Sequence, residues 1–144
     1  MKNYTLWLKL AFVFQWLTAA IHSLSFLATP KPANETERQL LDLMDNYRAD
    51  MGAGFSPSTH EIMTALSACF TLVCLLGGLV NWYLWRKKVG PDIMKGILNI
   101  NLIVFGICFA VMALLTFLPP IVLTGFIFVF LVIARLTMPR QSLL

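Results

Sequence analysis

The stretch Ile62–Trp85, IMTALSACFTLVCLLGGLVNWYLW, runs for 24 residues without a charged side chain, and Asn81 is its most polar interior residue. A helix needs roughly 20 mostly apolar residues to cross the hydrocarbon of a bilayer. Outward from this segment the pattern recurs three times. Leu6–Ala28 is interrupted only by Lys9, Gln15 and His22; Gly96–Leu118 carries Asn99 and Asn101 early; Ile121–Met138 carries Arg135 near its end. Lipid satisfies no backbone hydrogen bond, so apolar runs of this length are helices. The predicted fold is an all-α membrane protein, a four-helix transmembrane bundle in a single domain, residues 1–144.

Composition agrees. The chain has 144 residues, 58% hydrophobic and 12% charged, with a mean hydropathy of +0.76. Soluble domains carry about 25% charged residues, so a water-soluble globule and a disordered tail are excluded. A nucleic-acid partner is not expected either, despite a net charge of +4. The first run has a basic start and small residues, as a secretory signal does. Its apolar length exceeds the roughly 7–15 residues of a signal core, so it reads as a span.

The basic residues set an expected orientation. Lys2, Lys9, Arg86, Lys87, Lys88, Lys95, Arg135 and Arg140, eight of the eleven, fall at both termini and in the loop near residue 90. Lys31, Arg38 and Arg48 share the opposite side with Glu35, Glu37, Asp42, Asp45, Asp50 and Glu61. By the positive-inside rule both termini are cytoplasmic, and Tyr4, Trp7, Trp82, Tyr83 and Trp85 read as headgroup anchors on that side.

Residues 29–61 form the one long hydrophilic segment. Pro30 and Pro32 stop the first span, and Asn34 with Glu37 has the spacing of a capping box. Leu40, Leu41, Met44, Tyr47 and Met51 then follow at helical spacing. The pattern predicts a periplasmic amphipathic helix over 35–49, either flat on the membrane or capping the bundle. Gly52 and Gly54 end it, and Ser58 with Glu61 signals the start of the second span. Pro119–Pro120 makes a short connection, its second proline suited to the first turn of a helix.

Few side chains suggest chemistry. Cys69, Cys74 and Cys108 lie in apolar runs without a Cys-x-x-Cys pair, which argues against a thiol–disulfide oxidoreductase. His22 sits in the outer third of the first span and His60 at the start of the second, with Glu61 adjoining. Ionisable residues in spans are costly and face the bundle interior or water, so His22, His60, Glu61 and the mid-span Gln15 form a hypothetical ligand-binding set. No His-x-x-x-His or Glu-x-x-His pairing fixes a metal. A bis-histidine haem is disfavoured by a depth offset of roughly 8 Å between the histidines. No metal and no cofactor are expected, and no catalytic residue is named. Asn81 and Asn99, at similar depth, predict a hydrogen bond between the second and third spans. Gly77, Gly78, Gly106, Ala110 and Ala113 are small-residue faces for helix contact, within the chain or with a partner subunit.

The segments His22–Phe26, Asn34–Glu37, Gly52–Phe55 and Met63–Leu66 resemble small four-span inner-membrane proteins of Bacteroidetes-type bacteria. That resemblance covers most of the chain and implies a bacterial inner-membrane location without an activity. A fainter likeness is to the four-span sterol isomerase and lipid-ligand fold, in which a histidine also ends the first span before a long acidic loop. The acidic residues of that family's later helices are missing here. The functional expectation is a non-catalytic accessory or structural subunit of a membrane complex, in contact with lipid and with other membrane subunits. The alternative is a binder of a lipid- or quinone-sized ligand, or an enzyme acting on one, with a pocket under the loop near His22.

Overall fold

A computed structural model describes residues 2–27 and 31–139 of the chain, with side chains from residue 4. Helix α1 (Lys2–Leu24) runs into a 3₁₀ turn (Ser25–Leu27). Helices α2 (Glu35–Asn46), α3 (Thr59–Arg86), α4 (Pro91–Leu115) and α5 (Leu118–Leu136) follow. α1 with its 3₁₀ extension, α3, α4 and α5 are each long and apolar enough to cross a membrane, so the chain is a multi-pass membrane protein in contact with lipid. The expected end of the first span at Ala28, its stop at Pro30, and Arg140 lie outside the described residues.

Several boundaries differ from the sequence reading, each for a local reason. α4 begins at Pro91, ahead of Gly96, because Gly90 caps it and proline is accommodated at its start. α5 begins at Leu118, ahead of Ile121, and takes both Pro119 and Pro120 into its first turn, where a missing N–H costs nothing. α2 ends at Asn46, ahead of residue 49, because Tyr47 turns extended (ψ 121°) and Arg48 pairs with Ser58 in an isolated antiparallel bridge. Tyr47 and Met51 therefore leave the helical wheel and are exposed.

The chain, read from sequence as a single domain, divides into two compact units whose limits fall inside α1 and α3. The first, Met1–Ala19 with Val73–Leu144, holds segments of all four long helices. Each contributes one buried stripe at spacings of three and four: Leu8, Ala11, Phe12 and Gln15; Cys74, Gly78 and Asn81; Met94, Leu98, Asn101 and Phe105; Thr124, Ile127, Leu131 and Ala134. Lipid tails are as apolar as leucine, so close packing has to hold these stripes together. A Cβ placed on Gly78 would lie 2.5 Å from the Trp16 ring and 3.2 Å from the Phe12 carbonyl oxygen. Gly77 receives Gln15 and Phe105, Gly106 receives Phe128, and Gly125 receives Phe109. Trp7 and Phe14 pack on Phe130 at 5.9 and 5.0 Å. At the basic end, Lys9 and Arg86 lie over Trp85 and Trp82, at 4.4 and 5.4 Å.

The second unit, Ala20–Leu72, contains the end of α1, α2 and the start of α3. Its helix starts are both capped. Asn34 Oδ1 accepts from the Glu37 amide (2.9 Å), while Glu37 reaches back to the Ala33 amide (2.6 Å), one residue beyond the expected Asn34. Ser58 and Glu61 form the reciprocal box: Ser58 Oγ accepts from Glu61 N (3.2 Å) and Glu61 Oε2 from Ser58 N (2.8 Å). Between the caps the chain reverses through Gly52 and Gly54, both at φ +83°, with Ala53 at +53°. Left-handed backbone of this kind favours glycine.

Candidate functional site

Two constellations stand out, one in each unit. In the first, Gln15, Asn81 and Asn101 join α1, α3 and α4. Asn81 Nδ2 donates to Gln15 Oε1 (3.0 Å) and to Asn101 Oδ1 (3.2 Å), and Gln15 Nε2 donates to the same Asn101 oxygen (3.4 Å). Asn101 Nδ2 returns to the Ile97 carbonyl at 3.0 Å. Gln15 and Asn81 are fully buried. Among the described residues Asn81 Oδ1 has no hydrogen-bond partner. The expected Asn81–Asn99 pair is corrected here. Asn101 lies on the buried stripe of α4, whereas Asn99, about 200° around the helix, accepts from Arg135 Nε at 2.7 Å.

In the second unit a cleft of about 710 Å³ opens between α2 and α3, with Ser25, Phe26 and Pro32 also on its wall. The helices present facing stripes. α2 offers Arg38, Leu41, Asp42 and Asp45, and α3 offers His60, Met63, Thr64 and Ser67. Both sets repeat at i, i+3, i+4 and i+7, the residues of one helical face. Met44 adds a further apolar wall, so Leu41 and Met44 face the cleft while Leu40 and Leu43 are exposed. Leu40, expected with Leu41, Met44 and Tyr47 to face the bundle or lipid, is exposed off the cleft wall, and Tyr47 lies beyond the end of α2.

The polar groups of this unit are largely paired. His60 Nδ1 meets Asp45 Oδ1 at 2.5 Å. Arg38 donates twice to Glu35, at 2.8 and 2.6 Å, which holds the Glu35 carboxyl below its ordinary value of 4.5. Asp42 accepts from the Asn46 amide (2.8 Å) and makes no ion pair among the described residues. Arg48 grips Glu61 through both nitrogens (3.0 and 3.1 Å) and the Ser56 carbonyl (3.0 Å), tying the loop to the start of α3. A second hollow of about 500 Å³ shares Asp45, His60 and Thr64 with the cleft and adds Arg48, Ser58 and Glu61.

Of the hypothetical ligand set, His22, His60 and Glu61 fall in the second unit, where no one hollow is lined by all three. Gln15 is held in the first unit. His60 lines both hollows and Glu61 only the smaller. His22 lines neither, and its ring stands edge-on to Phe70 (5.1 Å) and Phe26 (6.0 Å), with Nε2 buried and without a partner among the described residues. It meets α3 at Phe70, ten residues beyond His60, where aromatic edges rather than carboxylates receive it. Among the helix-packing residues, Gly77, Gly78 and Gly106 seat side chains of this chain, while Ala110 and Ala113 are exposed. The α2 wall of the cleft escaped the sequence reading, although the spacing 38/41/42/45 was there to be seen. Among the described residues no three His, Cys, Asp or Glu side chains are grouped to hold a metal. Comparison with protein-family models, curated proteins and solved structures finds no match.

Proposed function

We propose that the chain is a non-catalytic four-span protein of a bacterial inner membrane, an accessory or structural subunit of a membrane complex. On this reading both termini are cytoplasmic and residues 29–61 periplasmic. The carrying observation is the Gln15–Asn81–Asn101 cluster: the amides buried in the bundle bond to one another and tie α1, α3 and α4 together, which is a fastening role. Its glycines likewise seat the chain's own rings, and Ala110 and Ala113 are exposed small residues set between the exposed Ile107 and Leu114, a notch into which another helix can pack. A photoreactive residue placed at Ala110 in intact membranes is expected to give one discrete protein adduct. Adducts with lipid alone would overturn the subunit reading. Reporter fusions at Ala33 and Gln141 are expected on opposite sides of the membrane, and same-side signals would overturn the topology.

A second reading, a binder of a lipid-sized molecule, is favoured by one specific observation: the cleft of about 710 Å³ in the second unit, walled by apolar and charged side chains together. His22 takes no part in that wall, whose charged and titratable side chains are Arg38, Asp42, Asp45 and His60. Retention of any amphiphile by the purified chain, and its displacement by bulky residues at Met63, tests it.

A further inference from the structure

The cleft has a direction. Along α3 its wall runs from His60 through Met63 and Thr64 to Ser67, about 10 Å at 1.5 Å per residue. The apolar run of the span begins at Ile62, so the His60 end lies at the polar boundary and the Ser67 end lies within the apolar segment. The charged side chains of α2 gather at the same cleft as apolar Leu41, Met63 and Phe26. A cavity walled by charged and apolar side chains together, one end of it within an apolar span, matches a molecule that is itself amphiphilic.

The charges narrow the class further. Asp45 is engaged by His60 and Arg38 by Glu35, while Asp42 accepts only from the neutral Asn46 amide among the described residues. The cleft therefore holds a carboxylate that makes no ion-pair contact among the described residues, the Arg38 guanidinium one turn away acting on it through space alone. Arg38 uses Nε and Nη2 toward Glu35, and a guanidinium has five donors, so Nη1 keeps N–H groups to spare. A carboxylate awaiting a cation close to spare guanidinium donors complements an ammonium and a phosphate joined by a short linker. The carboxylate favours a primary ammonium, which donates three hydrogen bonds. A quaternary ammonium calls instead for a cage of aromatic faces, and Phe26 is the one aromatic residue of the wall.

We propose that this cleft binds a phospholipid with a primary-ammonium headgroup, of the phosphatidylethanolamine class, its ammonium on Asp42, its phosphate at Arg38 and its chains along Phe26 and Met63. The proposal rests on the second reading above and names its ligand.

The test uses the full chain purified in mild detergent and offered equal amounts of phosphatidylethanolamine, phosphatidylcholine and phosphatidylglycerol, with retained lipid counted by native mass spectrometry. Phosphatidylethanolamine is expected to be retained over the other two. Asp42→Asn, which keeps size and the Asn46 contact, is expected to lower that retention about tenfold, the scale of one charge-assisted hydrogen bond, with an unchanged melting temperature. Met63→Trp is expected to displace all three lipids. Equal retention of the three, indifferent to Asp42→Asn but abolished by Met63→Trp, would overturn the headgroup assignment and leave a general amphiphile cleft. Retention indifferent to both variants, or none at all, would overturn the cleft as a lipid site altogether. Free phosphoethanolamine that competes as well as the lipid would show that the headgroup alone is recognised and overturn the role given to the apolar walls.

Discussion

The two units solve opposite problems with similar means. In the first, three amides sit in the bundle interior and bond to one another, with Asn81 Oδ1 left without a partner among the described residues. In the second, carboxylates, arginines and a histidine are exposed, and their pairs lie at the surface in reach of water. Polar side chains act as internal fasteners in one unit and form an accessible rim in the other. Changes in the first unit should therefore register as stability, and changes in the second as binding or local order.

The largest effect is expected from Gly78→Leu. The new side chain meets the Trp16 ring and the Phe12 backbone at once, and backbone cannot move aside as a flexible side chain can. Overpacking of this kind costs about 1–3 kcal/mol and occasionally more. A marked fall in melting temperature in detergent, or loss of the folded chain, is the expected result. A Gly96→Leu control, on an exposed position of α4 where nothing lies within 4 Å of the added Cβ, should change little. Equal behaviour of the two variants would mean that the bundle is not close-packed at Gly78.

Next comes Asn101→Leu. It removes the acceptor shared by Gln15 and Asn81, stranding Gln15 Nε2 and leaving Asn81 Nδ2 with its bond to Gln15 alone. Stranding a buried polar group costs about 1–3 kcal/mol, whereas removing all members of a cluster together is much cheaper. The combined change Gln15→Leu, Asn81→Leu and Asn101→Leu should accordingly melt closer to the parent than Asn101→Leu does. Three additive losses would show that the amides act as independent hydrogen bonds, since coupled residues deviate from additivity.

These two predictions also mark what was legible. The four apolar runs were plain because the hydrocarbon imposes a length that composition alone reveals. That Asn81 needed an interhelical partner followed from cost, but the choice between Asn99 and Asn101 depended on the rotation of α4 about its axis, which mean hydropathy does not encode. Gly77 and Gly78 were legible as close-approach positions, though the rings that fill them were not. In the loop, the caps at Asn34 and Ser58 were readable from four residues each. The end of α2 was not, because it depends on the Arg48–Ser58 bridge and the Arg48–Glu61 pair, contacts between residues ten and thirteen apart. His22 was singled out for its charge, and the structure surrounds it with Phe26 and Phe70 instead.

Arg48→Ala separates the units more sharply. It removes the grip on Glu61 and on the Ser56 carbonyl, both exposed. Exposed ion pairs add little to global stability, so the melting temperature should hardly move. The turn over residues 47–58 should lose local order and become more open to protease, since small local openings need not involve the whole fold. A melting shift as large as that of Asn101→Leu would break the distinction between a fastening unit and a surface unit.

The smallest effect concerns Glu35 and Arg38. The Arg38 guanidinium is the largest cause holding the Glu35 carboxyl below 4.5, with a smaller contribution from the Gln39 amide in the same direction and a modest opposing one from desolvation. A carboxylate whose folded-state value is depressed adds stability above its unfolded value, and that contribution fades as pH falls through the folded one. The contribution of this pair to α2 is thus complete near neutrality and declines only below about pH 4.5. Both side chains are more than 60% exposed, so solvent screens the pair and the effect on melting should be slight. A site-specific carboxyl titration by NMR is the sensitive readout. Glu35 should titrate below its ordinary value in the parent chain and rise toward that value in Arg38→Ala. A midpoint unmoved by Arg38→Ala would assign the depression to Gln39 and the helix terminus, and would free all the donors of Arg38 for a ligand in the cleft.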